Sequence, residues 1–412
     1  MKIALITGSS RPIPATLGGA TQTMLNHLID VNEEKKDFEF VIYSYYEKEA
    51  ENLSKKYDET KFRYYHERKV ADFLYMIPYR ILRKVTNGKT YIKSNFVKWC
   101  IKNINNDKPD VVIIEGNYFQ TLQLRKKITI PLILHMHIDG LNIDTDNGKN
   151  ILNSCKAVIA ISNYCKNRIE QIDPSQKEKI YLLKNTIDTD HFCVSDDNQF
   201  RKQFRKNHGI NDEDKVIIYC GRVTKAKGVN EALEAFAQLE NKKTYFLIVG
   251  SNVYKDGKVD QYMKEIQSNA RKMGNRVIFT GYIPQKDLPN YYASADISIV
   301  PSLCQEAAGN VIIESLSCDR PVVASIQGGI PEYADKTCCK LVNCDENFVA
   351  GLTTALTELI ENKNAYEEMK SHARNTALKY DKNEYYKNFK TLIKKIMNAE
   401  GEKIEDRNIN FS

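Results

Sequence analysis

The chain has 412 residues, 42% of them apolar and 27% charged, with a formal net charge of +7. That is enough sequence for two globular domains of ordinary size. No run of about 18 apolar residues occurs, which excludes a hydrophobic membrane-spanning helix, and the ten cysteines show neither a C-x-x-C pair nor a Cys/His spacing that suits zinc.

The first apolar run, KIALITG (2–8), is short and ends in Gly-Ser-Ser-Arg-Pro. It reads as a buried strand rather than a signal peptide, so a cytoplasmic protein is expected, with its cysteines as small buried hydrophobes. Gly18-Gly19 follow, just ahead of an apolar helical pattern from Thr23. Paired glycines in that place let backbone N–H groups approach an anion. A plain loop would use them too, and the spacing is not that of a dinucleotide fingerprint. After the strand FEFVIYSY (38–45), residues 61–102 hold eleven Lys/Arg against two Asp/Glu, so the rest of the chain is slightly acidic. Within that segment Phe73, Leu74, Tyr75, Met76, Ile77, Tyr79, Ile81 and Leu82 interleave with Arg80, Arg83 and Lys84. A cationic amphipathic segment of this kind suits a membrane surface, or else a core helix with a solvated basic face.

Three more strands follow: DVVIIEG (110–116), PLILHMH (131–137) and KAVIAIS (156–162). Alternation puts His135 and His137 on one face. The polar stretch 187–214 reads as a linker. Beyond it come DKVIIYCGR (214–222), TYFLIVGS (244–251), VIFTGY (277–282), DISIVPS (296–302) and PVVAS (321–325). Strands apolar on both faces, alternating with helical patterns, predict doubly wound parallel sheets. Ten or more strands exceed one comfortable open sheet. The division expected is 1–186, 187–365, and a charged helix with a tail over 366–412 that crosses back to the first domain.

Ligands of open parallel sheets sit beyond the carboxyl ends of the strands. After VIIYCG comes Gly221-Arg222, then Lys227-Gly228, then a helix. Two cations and helix amides there suit a diphosphate, although a solvated basic turn is the simpler alternative. After DISIVPS comes Gln305-Glu306-Ala307-Ala308-Gly309, leading into a helix that carries Glu314. Small residues keep the loop backbone open. One carboxylate at the helix mouth and another deeper along it can each accept hydrogen bonds from hydroxyls, with amides between them for phosphate. A nucleotide sugar fits that set.

Glu306-x7-Glu314 together with G-R-x4-K-G at 221–228 resembles the family 4 glycosyltransferases of GT-B fold, in the branch that builds bacterial surface polysaccharides and lipopolysaccharide. Asn185-Thr-Ile-Asp188 resembles that family's entry into its second domain, with Thr186 where glycine is usual. The resemblance implies two Rossmann-like α/β domains facing across a cleft, the first binding acceptor and the second the nucleotide sugar. It implies a retaining hexosyltransferase that moves a hexose or N-acetylhexosamine from a UDP-sugar to a glycan or lipid-linked acceptor. Glu306 would meet the sugar hydroxyls and Glu314 the ribose. Arg222 and Lys227 would meet the diphosphate. Gly18, Gly19, Ala308 and Gly309 would face phosphate or sugar, and Tyr282 and Ile283 the base. His137, which fits the P-x5-H pattern better than His135, would approach sugar and acceptor, with Asp139 orienting it or binding acceptor.

No cofactor and no metal are expected, since cations and helix dipoles meet the leaving group. Asp144–Asp146 and Asp188–Asp190 read as loop acids. Expected partners are the donor, the acceptor and an inner membrane surface contacted through 61–102. Nucleic acid is not among them, because no recognition module accompanies the basic segment. Two rival readings are a GT-B sugar-nucleotide epimerase and a catalytically degenerate scaffold or coat protein.

Overall fold

The structure, a computed structural model, describes residues 1–86, 93–193, 198–252 and 261–398, with the backbone but not the side chain of Arg83. The tail from Glu400, residues 87–92 of the basic segment and 194–197 of the linker lie outside the described residues. The chain divides into two compact units: Met1–Ala160, Lys166–Lys184 and Lys382–Ser412 form one, Ile161–Cys165 and Asn185–Asp381 the other.

The first unit holds seven strands: β1 (Lys2–Thr7), β2 (Glu39–Tyr45), β3 (Thr60–Tyr65), β4 (Val111–Glu115), β5 (Leu132–His135), β6 (Ala157–Ala160) and β7 (Ile180–Leu182). All pair in parallel, in the order β3-β2-β1-β4-β5-β6-β7. The order reverses between β1 and β4, which opens a crevice at their carboxyl ends. Ile3, Leu5, Phe40, Val111 and Ile113 form part of one apolar layer beneath helix Ala20–Lys35. The helix Lys382–Asn398 docks on the same layer. Phe389, fully buried, meets Phe38 and Phe40 edge-on at 6.0 and 6.4 Å, and the Tyr386 hydroxyl donates to Asn32 Oδ1 at 2.8 Å.

The second unit holds β8 (Lys215–Cys220), β9 (Thr244–Val249), β10 (Val277–Gly281), β11 (Ile297–Val300), β12 (Val322–Ser325) and β13 (Cys339–Val342), ordered β10-β9-β8-β11-β12-β13 and parallel throughout. Its switch point lies between β8 and β11. Apolar layers cover both faces, as a doubly wound sheet requires.

Three strands described here escape the sequence reading: β3, β7 and β13. Each lies at a sheet edge. An edge strand is covered less than a central one, so its residues need not form a continuous apolar run. In β3, Lys61 and Arg63 turn to the buried Asp107, with Arg63 Nη2 at 2.6 Å and Lys61 Nζ at 2.9 Å. Part of the basic segment thus serves as an edge-strand clamp. The crossing helix also differs from expectation. Helix Lys363–Leu378 stays with the second unit, where Tyr366, Met369, Ala373 and Ala377 enter its core, and the return to the first unit begins at Lys382.

Candidate functional site

In the second unit the loops after β8 and β11 meet at the switch point. Gly228 makes this approach possible. Its φ is +66°, and a Cβ there would lie 1.8 Å from the Pro301 carbonyl oxygen. The amides of Leu303 and Cys304 donate to the Ala226 carbonyl at 2.9 and 3.2 Å, tying one loop to the other. In this setting the Lys227 ammonium pairs with Glu306 Oε1. The Ser302 hydroxyl donates to the same oxygen at 2.6 Å.

The loop after β12 braces Glu306 from its other side. Gly329 N donates to the Glu306 carbonyl at 2.7 Å. A Cβ at Gly328 would strike that carbonyl oxygen at 2.3 Å. Sequence reasoning missed this pair, although the signal was there: two adjacent glycines in the loop that follows a strand, as at Gly18-Gly19.

Arg222, Tyr282 and Ile283 line one pocket with Cys220, Gly221 and Gly250, and it encloses about 510 Å³, part of it open to solvent. Gly250 packs its backbone against Gly221, where a Cβ would fall 1.9 Å from the carbonyl oxygen. The pocket is therefore walled by main chain at the ends of β8 and β9, with Tyr282 39% exposed at its mouth. Beside Cys220, the Tyr292 hydroxyl donates to Glu314 Oε2 at 3.0 Å. Burial pushes the Glu314 carboxyl up to about 7, and the Tyr292 hydrogen bond pulls the other way. Ala308 and Gly309 immediately precede helix Asn310–Ser317, so the first-turn amides open toward the loop that carries Glu306. The residues singled out in this half of the sequence thus converge on one end of one sheet.

In the first unit Gly18 (φ +66°) and Gly19 (φ +115°) stand at the N-terminus of helix Ala20–Lys35, after β1. The neighbouring strands carry a buried triad. His137 Nε2 lies 2.6 Å and His135 Nδ1 3.1 Å from the same oxygen of Glu115, Oε2. The parallel register explains the meeting, since Glu115 pairs with His135 across β4 and β5. The two imidazoles hold the Glu115 carboxyl down to about 2 against the effect of its burial. Burial and His135 lower His137, while Glu115 raises it.

Three such side chains within 4.8 Å of one another could also hold a cation. Convergence of both rings on one carboxylate oxygen is equally the geometry of two hydrogen bonds. Glu115 was missed from sequence; its signal was an acid closing an otherwise apolar strand. Asp139 takes the Arg168 guanidinium at 2.9 Å, and the carboxylate on His137 Nε2 is that of Glu115. The Asp188 carboxylate accepts from the amides of Asp190 and His191, each at 3.2 Å, as a loop acid does.

Residues 200–376 match the family described as Glycosyl transferases group 1. The chain is 21% identical over 387 residues to the putative glycosyltransferase YtcC of Bacillus subtilis (strain 168), a similarity covering 91% of this chain and 87% of that protein. It is 22% identical over 348 residues to Spore coat protein SA of the same strain, covering 82% and 84%. The crystal structure of Anabaena Alr3699/HepE in complex with UDP-glucose superposes with a TM-score of 0.72 at 20% identity, over 96% of this chain and 99% of that one. Residues 200–376, which carry the Lys227–Glu306 pair and the pocket beside it, thus match the Glycosyl transferases group 1 model, and the chain as a whole has the GT-B fold of its structural neighbours.

Proposed function

We propose that the protein is a retaining glycosyltransferase that moves a hexose or N-acetylhexosamine from a UDP-sugar to a glycan or lipid-linked acceptor of the cell surface. The observation that carries this reading is the Lys227–Glu306 pair held by Ser302 at the switch point of the second sheet. A carboxylate there accepts hydroxyls of a sugar, and the cation beside it meets the phosphate. Arg222 reaches the same diphosphate from the wall of the pocket, while Tyr282 and Ile283 cover the base. Glu314 takes the ribose hydroxyls.

As the bond from the anomeric carbon to the diphosphate breaks, negative charge grows on the departing oxygen. Fixed cations and the amides ahead of Asn310 stabilise that charge without reorganising. A metal is not required in this scheme. His137, held by Glu115, belongs to the acceptor side of the reaction. Similarity to a UDP-glucose-bound structure supports UDP as the nucleotide.

Similarity to Spore coat protein SA keeps a second reading in view, in which the fold serves as a scaffold without transfer. Calorimetry with UDP, GDP and ADP, each in EDTA and in magnesium, separates the two. UDP should bind without metal, and Lys227→Met should weaken it about tenfold or more. A protein that binds none of the three nucleotides is not the transferase proposed.

A further inference from the structure

Among the described residues no helix is long and apolar enough to cross a membrane. One helix nevertheless turns its apolar side outward. In Lys69–Val85, the side chains of Val70, Phe73, Leu74, Ile81, Leu82 and Val85 are between 45% and 75% exposed. Positions 70, 74, 77, 81 and 85 fall on one stripe at helical spacing. Lys69, Arg80 and Lys84 lie along one flank of that stripe and are exposed too. The opposite side holds Asp72, Tyr75 and Tyr79, all half-buried. Asp72 anchors it: the Tyr65 hydroxyl at the end of β3 donates to Oδ1 at 2.7 Å, and Asn95 Nδ2 donates at 2.8 Å. The helix is thus fixed with its polar, aromatic side inward, the reverse of an ordinary surface helix.

We infer that this helix docks the protein on the surface of a bilayer carrying anionic lipid, lying in the plane of the interface with its apolar stripe among the acyl chains. Charge chooses this occupant over a second copy of the chain. The helix itself holds four cations, Lys69, Arg80, Arg83 and Lys84, against one acid, Asp72. Two copies packed stripe to stripe would set like charges together, whereas an anionic surface neutralises them. The helix is about 25 Å long at 1.5 Å per residue, and it starts only a few residues beyond the carboxyl end of β3. Leu17 and Ile138, on loops after β1 and β5 at the same end of this parallel sheet, are each 58% exposed. The rim of the first unit that holds Gly18, Gly19 and His137 is therefore the rim brought to the lipid. Docking stands independently of the transfer reading, because binding to vesicles needs neither donor nor acceptor.

Flotation of the full chain with vesicles of mixed phosphatidylglycerol and phosphatidylcholine, against vesicles of phosphatidylcholine alone, tests the inference. The protein should partition onto the anionic vesicles and much less onto the neutral ones. The combined variant Val70→Asn, Leu74→Gln, Ile81→Gln should lose at least about tenfold in partition, since it withdraws methylene groups from the bilayer. Arg80→Gln with Lys84→Gln should lose about fivefold per cation at low salt, and less at high salt. Every position lies on an exposed face, so the thermal melts should match that of the unaltered chain. Partition of both variants equal to that of the parent overturns the proposal. So does a parent that ignores both kinds of vesicle while the apolar variant converts a dimer to a monomer; that result makes the stripe a self-association face.

Discussion

At the scale of single residues, Glu314 is a carboxyl whose burial sets its charge against folding. Its carboxyl lies beside Cys220 and Tyr292 with a pKa near 7, well above the ordinary 4.5. A raised carboxyl pKa favours the folded state below about pH 4.5, and that contribution is lost as pH rises through 7. At pH 8 the ionised side chain therefore costs on the order of 3 kcal/mol relative to a neutral one. Glu314→Gln should remove this cost: denaturant unfolding at pH 8 should show a more stable variant, with the gap closing by pH 5. On the proposal that Glu314 takes the ribose hydroxyls, the ionised form is the acceptor, so in the unaltered chain UDP affinity should fall by up to about tenfold per unit below pH 7. A glutamine variant that keeps both the parent's pH dependence and its UDP affinity would remove Glu314 from the site. The sequence marked this residue by its distance from Glu306. Its protonation was not legible there, because it depends on burial by the surrounding fold and on the opposing hydrogen bond from Tyr292, which comes from a different helix.

At the scale of elements, what could be read from sequence follows from coverage. Central strands such as β1, β4, β8 and β11 are apolar on both faces and announce themselves. The edge strands β3, β7 and β13 do not, and β3 even carries Lys61 and Arg63 for Asp107. The helix Lys382–Asn398 was legible only as part of a charged helical segment from 366 onward, and its point of departure was not. Nothing local distinguishes the face of helix Lys363–Leu378 that packs on the second unit from one that packs on the first. Close backbone approaches were half legible. Glycines at 228, 250, 328 and 329 are visible as letters, while the carbonyls they make room for belong to distant loops. Gly228→Ala tests how far one such approach positions the site. Its Cβ would overlap the Pro301 carbonyl, and its φ of +66° disfavours any side chain. The substitution should cost about 1–3 kcal/mol and should also weaken UDP, because Lys227 and Glu306 are carried on the two loops it forces apart. Destabilisation with full UDP affinity would show that the loop junction is structural only.

At the scale of the molecule, each unit has its own sheet and its own core; Gly18, Gly19 and His137 lie in the first, and Arg222, Lys227, Glu306 and Glu314 lie in the second. Binding energy is then delivered to that unit first. A ligand at a hundred times its Kd stabilises the state that binds it by about 2.7 kcal/mol, which slows exchange about a hundredfold for amides that exchange only when that unit opens. Hydrogen exchange with saturating UDP should therefore slow most in β8, in the loop 221–228, in 302–314 and in the bracing loop 327–333. The core strands β1, β4 and β5 of the first unit should change little. Equal slowing in both units would mean that nucleotide binding draws on the first unit as well, and that Gly18, Gly19 or His137 contributes to the donor. Slowing confined to the first unit would remove Arg222, Lys227, Glu306 and Glu314 from the site together. The same samples with vesicles in place of UDP should protect helix Lys69–Val85 and leave 221–228 unchanged, because the two surfaces belong to different units and bind by different chemistry.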